Sequence, residues 1–198
     1  MVTQKHICIG VLGTHSTGKT QLLRRIEMEL RGHGLTVART GRLAKRAASI
    51  GLPKMVRHTV QSTEWIIAQG IADEIACAAQ GADVVLADRA ALDALAYLRA
   101  ALEHRGERLP RLENERLLLL ASTQLPKYEM LLATVLDESV PVDASHDYDA
   151  EYRRLVDRHT HSLLAGEQIP HQRVTSDSGS QTSAVESALR LCLREAAV

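Results

Sequence analysis

Phenylalanine is absent from the 198 residues, and only one tryptophan and four tyrosines stand in for it. A row of aromatic platforms for single-stranded nucleic acid is therefore out of reach, and leucine and alanine must fill most of the core. Charge of one sign is lacking too. Lys plus Arg and Asp plus Glu each number 24, so the formal net charge is zero. No electrostatic pull toward nucleic acid or an anionic membrane follows from that balance. Three cysteines, Cys8, Cys77 and Cys192, stand far apart with no Cys-x-x-Cys pair, which reads as buried thiols in a reducing compartment. No apolar run reaches membrane-spanning length, and the N-terminus lacks a long signal-peptide core. The expectation is a cytoplasmic chain with neither nucleic-acid nor membrane partner. Its length suits one α/β domain, residues 1–198, with a sizeable core.

What is present is concentrated in one stretch. Gly13-Thr14-His15-Ser16-Thr17-Gly18-Lys19-Thr20 fits G-x-x-x-x-G-K-[ST], the loop that cradles nucleotide phosphates. The apolar run Ile7–Leu12 before it predicts a buried strand, and Leu22, Leu23, Ile26 and Leu30 after it recur at helical spacing. The loop thus lies where backbone N–H groups and the helix dipole favour an anion. Glycine allows the backbone to close on phosphate without a Cβ clash. In this reading Lys19 reaches the β- and γ-phosphates of ATP and the Thr20 hydroxyl ligates Mg²⁺. His15, Ser16 and Thr17 are spacers presenting backbone amides, with His15 expected to face solvent.

Farther along, strand and helix patterns alternate. Strands are expected at 35–39, 83–88, 128–135 and 172–175. Helices are expected at 42–50, 59–79, 91–102, 113–122, 149–165 and 184–195, with a loop over 176–180. Such alternation predicts parallel strands joined by crossover helices. The polar segment 137–149 has no clear period and reads as a mobile lid or a long surface loop. Val84-Val85-Leu86-Ala87 ends in Asp88. A carboxylate at the end of an apolar strand beside a phosphate loop is placed to organise Mg²⁺; capping the next helix is the alternative. Asp93, four residues beyond Arg89, can pair with it across one helical turn.

With Asp88-Arg89-Ala90-Ala91-Leu92-Asp93 following the third strand about 70 residues after the loop, the sequence resembles the P-loop nucleoside and nucleotide kinases. The Gly-x-x-Ser-Thr-Gly-Lys-Thr form of the loop is similar to the nicotinamide-riboside-kinase-like branch, and the element order also to the thymidylate-kinase-like branch. Asp147-Tyr148-Asp149-Ala150-Glu151-Tyr152-Arg153-Arg154 resembles the start of their lid helix. The resemblance implies an α/β three-layer sandwich whose five-stranded parallel sheet runs 2-3-1-4-5. It also implies transfer of the ATP γ-phosphoryl to a small acceptor, with acceptor-covering helices at about 42–79 and a lid at about 137–158.

On that resemblance Lys19, Asp88, Arg89, Arg153 and Arg154 are the catalytic candidates. Arg42, Arg46, Trp65, Gln69 and Asp93 are candidates for the acceptor side, and Ser178 for the adenine pocket. Lys45, Gln61, Glu64 and Glu74 lie on the same covering helices. Trp65 could stack on an acceptor ring or anchor its helix in the core. Two departures stand out. The second strand ends in Arg39-Thr40-Gly41-Arg42, without the carboxylate that related kinases usually place there. The lid reads Asp143-Ala144-Ser145-His146 in place of Asp-Gly-x-Arg, so lid help for phosphoryl transfer falls to Arg153 or Arg154. A regulatory ATPase or nucleotide-binding switch is the competing class. A GTPase is disfavoured because no Asn-Lys-x-Asp motif occurs. Oligomeric state is not set by the sequence; a homodimer is admitted.

Overall fold

A computed structural model describes residues 6–140 and 149–195. Five parallel strands form one sheet in the order β2-β3-β1-β4-β5. They are β1 (Ile7–Leu12), β2 (Val37–Thr40), β3 (Val84–Asp88), β4 (Tyr128–Thr134) and β5 (Gln172–Val174). Helices α1 (Lys19–Gly32), α2 (Leu43–Ser49), α3 (Val60–Ala79), α4 (Ala91–His104), α5 (Arg111–Ser122), α6 (Ala150–Gly166) and α7 (Ser178–Glu195) connect and follow them. Helices on both faces of a parallel sheet are the arrangement that the alternating pattern and the kinase resemblance imply.

The alternation of β1 sets the two faces. Ile7, Ile9 and Val11 pack with Leu22, Leu23, Ile26 and Leu30 of α1 and Ala184 and Ala188 of α7. Cys8 and Leu12 face the opposite core, with Leu43 of α2, Ile66 and Ile67 of α3, Leu95 and Leu98 of α4 and Leu117 of α5. Each such aliphatic side chain, fully buried, contributes about 1.5–3 kcal/mol. Gly10 belongs to this second face, and a Cβ there would stand 2.9 Å from the Cβ of Ala90 and 2.7 Å from Leu131. Its bareness lets the start of α4 sit directly on the sheet, where Ala90 donates its N–H to Val11 O at 3.0 Å.

That contact is reinforced from within the core. Tyr128 accepts a hydrogen bond from the Ala91 N–H at 3.2 Å and donates to Glu74 at 3.0 Å. Gln124 donates to the other Glu74 oxygen at 2.5 Å. Thr59 caps α3 in a reciprocal box with Ser62, worth about 1 kcal/mol. Register brings Val11 beside Asp88 and Thr40 beside Ala87, so the C-terminal ends of the strands gather at one edge.

Several boundaries differ from the sequence expectation by one or two residues, β2 among them, expected at 35–39 and found at Val37–Thr40, and three differences are larger or more informative. The last helix begins at Ser178 and not at Ala184, because Asp177 accepts the Ser180 N–H at 2.9 Å and starts the helix two turns early. The stretch between α2 and α3 holds a 3-10 turn, Met55–Arg57. The fifth helix starts at Arg111, directly after Pro110, which stands just outside it. Residues 141–148, which include Asp143–His146 and Asp147 of the expected lid, lie outside the described residues. Beyond them Asp149 caps α6 by accepting the Tyr152 N–H at 2.9 Å, and Tyr152 is buried against α4.

Candidate active site

The loop between β1 and α1 is shaped by its glycines. Gly13 stands at φ 134°, and a Cβ there would lie 2.1 Å from Thr134 Oγ1 and 2.9 Å from the Thr134 carbonyl. Only glycine fits that approach. Gly18, at φ 80°, opens α1, whose first turn has neither a side-chain cap nor an acidic residue. The first amides of α1 and the positive end of its dipole are therefore left to an anion. Thr17 Oγ1 lies 2.8 Å from the Thr14 carbonyl and 2.7 Å from Thr134 Oγ1, and Thr134 donates to Leu12 O at 3.1 Å. The back of the loop is thus knitted to the end of β4.

Lys19 is 6% exposed. Its ammonium donates to the Thr14 carbonyl and lies 3.4 Å from Thr17 Oγ1. Burial, followed by the charge of Arg89, pushes its pKa down to about 7, against the pull of Asp93, Asp88 and Asp157. A polyphosphate in the cradle would restore the full charge, so the residues present fit that ligand. Thr20 Oγ1 lies 3.5 Å from Asp88 Oδ2. Gly41, at φ 152°, passes so close to Asp88 that a Cβ would meet the Asp88 Cβ at 3.2 Å. No cluster of three or more His, Cys, Asp or Glu suited to a metal occurs among the described residues. A hydroxyl and a carboxylate beside a phosphate cradle suit Mg²⁺, which takes few protein oxygens and completes its shell with phosphate and water. Asp88 does not cap α4, whose N-cap is Ala90.

Asp93 joins this loop to Arg89. It is 1% exposed, accepts the Gly13 N–H on Oδ1 at 2.9 Å, and accepts from Arg89 on Oδ2 at 2.6 Å. The Arg89 guanidinium also lies 4.6 Å from the centroid of the Tyr97 ring, a cation–π distance. Its backbone is held at φ 89°, a costly conformation for a side-chain-bearing residue. Arginine is thus fixed from three directions at the mouth of the loop. His15 departs from the solvent-facing expectation. It is 6% exposed, with ring centroids 6.2 Å from Tyr97 and 6.1 Å from Tyr152. Burial, then Arg89, Lys19 and Arg153, push its pKa down to about 3.

Two spaces adjoin Arg89. One, of about 520 Å³, runs over the loop; Lys19, Arg24, Arg39, Arg42, Lys45 and Arg89 line it against the single carboxylate of Asp88. The other is a largely apolar cavity of about 40 Å³ between α2, α3 and α4, reached by His58, Arg89, Asp93 and Tyr97. Leu43, Ala44 and Arg89 belong to both walls.

The remaining sequence candidates separate. Arg42 lines the larger space, at φ 60° before α2. Arg46 and Gln69 line neither, because both are bound to Asp73, Gln69 at 2.7 Å and Arg46 through a two-nitrogen fork. Trp65 packs against the core and lines neither space. Ser178 is exposed in the first turn of α7; Gln181 of the same turn comes within 4.0 Å of where a Cβ on Gly18 would stand. Arg153 is 7% exposed and its charge is felt at His15, whereas Arg154 points outward to Glu138 at 3.1 Å. Sequence reasoning missed Thr134, Tyr97, Tyr152 and His58. A hydroxyl closing the apolar run of β4 was a readable signal for Thr134; for the others the signal lies in packing alone.

A sequence profile described as AAA domain matches residues 8–181. The chain belongs to the AAA domain family. No curated protein sequence matches it. Among solved structures, this AAA domain superposes on NadR in complex with NAD and AMP-PNP with a TM-score of 0.65 at 18% identity, covering 93% of this chain and 48% of that one. NadR in complex with NR gives 0.59 at 17% identity, with the same coverage. Deoxyadenosine kinase from M. mycoides with bound dATP gives 0.61 at 11% identity, covering 93% of this chain and all of that one. The chain thus spans about half the length of the NadR chains. At these identities the likeness is one of fold, a P-loop nucleoside-kinase-like α/β fold.

Proposed function

We propose that this chain is a phosphotransferase that moves the γ-phosphoryl of ATP to a small nucleoside- or nucleotide-like acceptor. The observation that carries the reading is the pair of spaces meeting at Arg89, one cationic over the phosphate loop and one largely apolar beyond it. Phosphoryl transfer asks mainly for positioning and charge stabilisation, and this arrangement supplies both. The loop amides and Lys19 hold the β- and γ-phosphates. Thr20 and Asp88 would hold Mg²⁺, which when bound neutralises charge building on the phosphate oxygens. Arg89, aimed by Asp93 and Tyr97, faces the transferring group from the acceptor side. Arg153 adds charge from α6. Asp88 also takes the proton of the acceptor hydroxyl, being the carboxylate in the wall of the cleft. Solved neighbours that carry AMP-PNP and dATP support a nucleotide donor. Three free thiols, two of them buried, support a cytoplasmic setting.

One observation favours hydrolysis without an acceptor: β2 ends at Thr40 and is followed by Gly41-Arg42, with no carboxylate there. Incubating the protein with Mg-ATP and a panel of nucleosides, nucleotides and sugars decides between them. ADP release that depends on one acceptor is expected, and Lys19→Ala should lower it about 10²–10³-fold. ADP release at the same rate with and without every acceptor would replace the transferase reading by an ATPase.

A further inference from the structure

The smaller cavity has a polar inventory that phosphate chemistry leaves unused. Leu43, Ile67 and Ala94 make up much of its wall, and Lys54 and Arg89 bring positive charge to it. Its one carboxylate, Asp93, is committed on both oxygens, to the Gly13 N–H and to Arg89. No carboxylate among the described lining residues is left to balance a cation. His58 differs from all of these. It is 3% exposed, it lines the cavity, and its Nε2 has no hydrogen-bond partner among the described residues. A buried polar atom left in that state is costly, and a bound ligand group is one way to satisfy it. Burial, then the charges of Arg89 and Arg105, push the His58 pKa down to about 4, so the ring is neutral at pH 7.

We propose that this cavity receives an uncharged ring of the acceptor, with a polar edge of that ring hydrogen-bonded to His58 Nε2, and that it rejects acceptors whose ring is cationic. The inference rests on the phosphotransferase reading and adds the chemical class of the acceptor. A cationic ring would be brought into a low-dielectric space beside Arg89 and Lys54 with no free carboxylate, a desolvation cost without compensation. A neutral ring buries apolar surface there and satisfies His58. The cavity measures about 40 Å³, well below the roughly 150 Å³ that holds benzene, so ring entry moves Lys54 and Met55, which line it from the segment 52–58, while His58 keeps its place. Arg105 holds that segment, donating to the Val56 carbonyl and, at 3.3 Å, to the His58 carbonyl. Met55 within it stands at φ 58°, a conformation that release of the segment would relax.

The test is calorimetric titration of the full chain, in the presence of Mg²⁺ and AMP-PNP, with 2′-deoxyadenosine, cytidine and nicotinamide riboside, the last carrying a positive ring. At least one neutral nucleoside should bind tenfold or more tighter than nicotinamide riboside. His58→Phe should weaken that nucleoside at least tenfold, and His58→Gln, which keeps a neutral hydrogen-bonding group, should recover part of the loss. Should His58→Phe fail to fold by circular dichroism, His58→Ala takes its place in the comparison. Tighter binding of the cationic riboside, binding of neither neutral probe, or an unchanged dissociation constant in the His58 variants would each overturn the proposal. The parent reading fails separately, through absence of AMP-PNP binding or of any acceptor-dependent ADP. Preferential phosphorylation of the cationic riboside would keep that reading and sink this one.

Discussion

The loop side of the cleft is made from eight consecutive residues between one strand and one helix, whereas the smaller cavity, the side proposed for the acceptor, is assembled from α2, the segment 52–58, α3 and α4. The first is contiguous in sequence: amides, a lysine and glycines at positive φ, held from outside at two points, Thr134 of β4 and Asp93 of α4. The second exists only when distant elements pack. Arg89 is aimed by a carboxylate on the next helical turn and a ring one turn further, and α4 itself is seated by Tyr128 from β4 and Glu74 from α3. A site built this way can change its ligand by altering packing, while the phosphate side stays constrained by geometry that only a few residue types satisfy.

The sharpest way to break that contrast is at the local half. Lys19→Ala should lower turnover by about 10²–10³-fold, the range for removing one preorganised charge at a reacting phosphate, with far-UV circular dichroism unchanged. Turnover within tenfold of wild type would mean that the loop does not carry the donor. Next in size is Asp88→Asn, expected to cost about 10–100-fold at limiting Mg²⁺ and to be partly overcome by excess Mg²⁺. A titration curve superimposable on wild type would remove Asp88 from the metal's surroundings.

Arg153 and Arg154 test whether α6 belongs to the site. They are adjacent in sequence but diverge in space, one buried near His15 and the other paired with exposed Glu138. Arg153→Ala should lower kcat about tenfold with a smaller change in the KM for ATP, and Arg154→Ala should stay within about twofold, as exposed ion pairs contribute little. Equal effects of the two substitutions would place the helix outside the chemistry.

How much of this was legible in the sequence follows the same division. The strands, their alternation with helices and the phosphate loop were readable because they rest on short-range pattern: apolar runs, helical spacing and glycine positions; the strand order came from the kinase resemblance. The Asp88–Thr20 and Arg89–Asp93 pairs were readable from strand-end position and i,i+4 spacing. His15 was not, because its burial depends on Tyr97 and Tyr152, 82 and 137 positions away in the chain. Arg46 and Gln69 carried suitable chemistry on a suitable helix, yet Asp73, one turn on from Gln69, claims both. Composition and spacing report which groups are available; which carboxylate captures them is decided by helix rotation against the core.

The smallest effect probes the support beneath the acceptor half. Glu74 is 4% exposed, and burial pushes its pKa up to about 6, against the hydrogen bonds from Gln124 and Tyr128 that favour the carboxylate. A carboxyl whose folded pKa lies above its unfolded value binds more protons in the native state. Its contribution to stability is therefore full below about pH 4.5 and is lost as pH rises through 6. Between pH 5 and pH 7 that loss is about 1 kcal/mol. The buried histidines act oppositely. His15 and His58, with folded pKa values near 3 and 4, each withdraw about 2 kcal/mol as pH falls from 7 to 5, because only the unfolded chain takes up the proton. They dominate the raw curve, so the readout is the difference in urea-unfolding free energy between wild type and Glu74→Gln at the two pH values. Wild type should gain about 1 kcal/mol relative to the variant on going from pH 7 to pH 5. A difference independent of pH would show that Glu74 is ionised throughout, and that α4 is seated by a charge-assisted Tyr128 bond and not by a protonated acid.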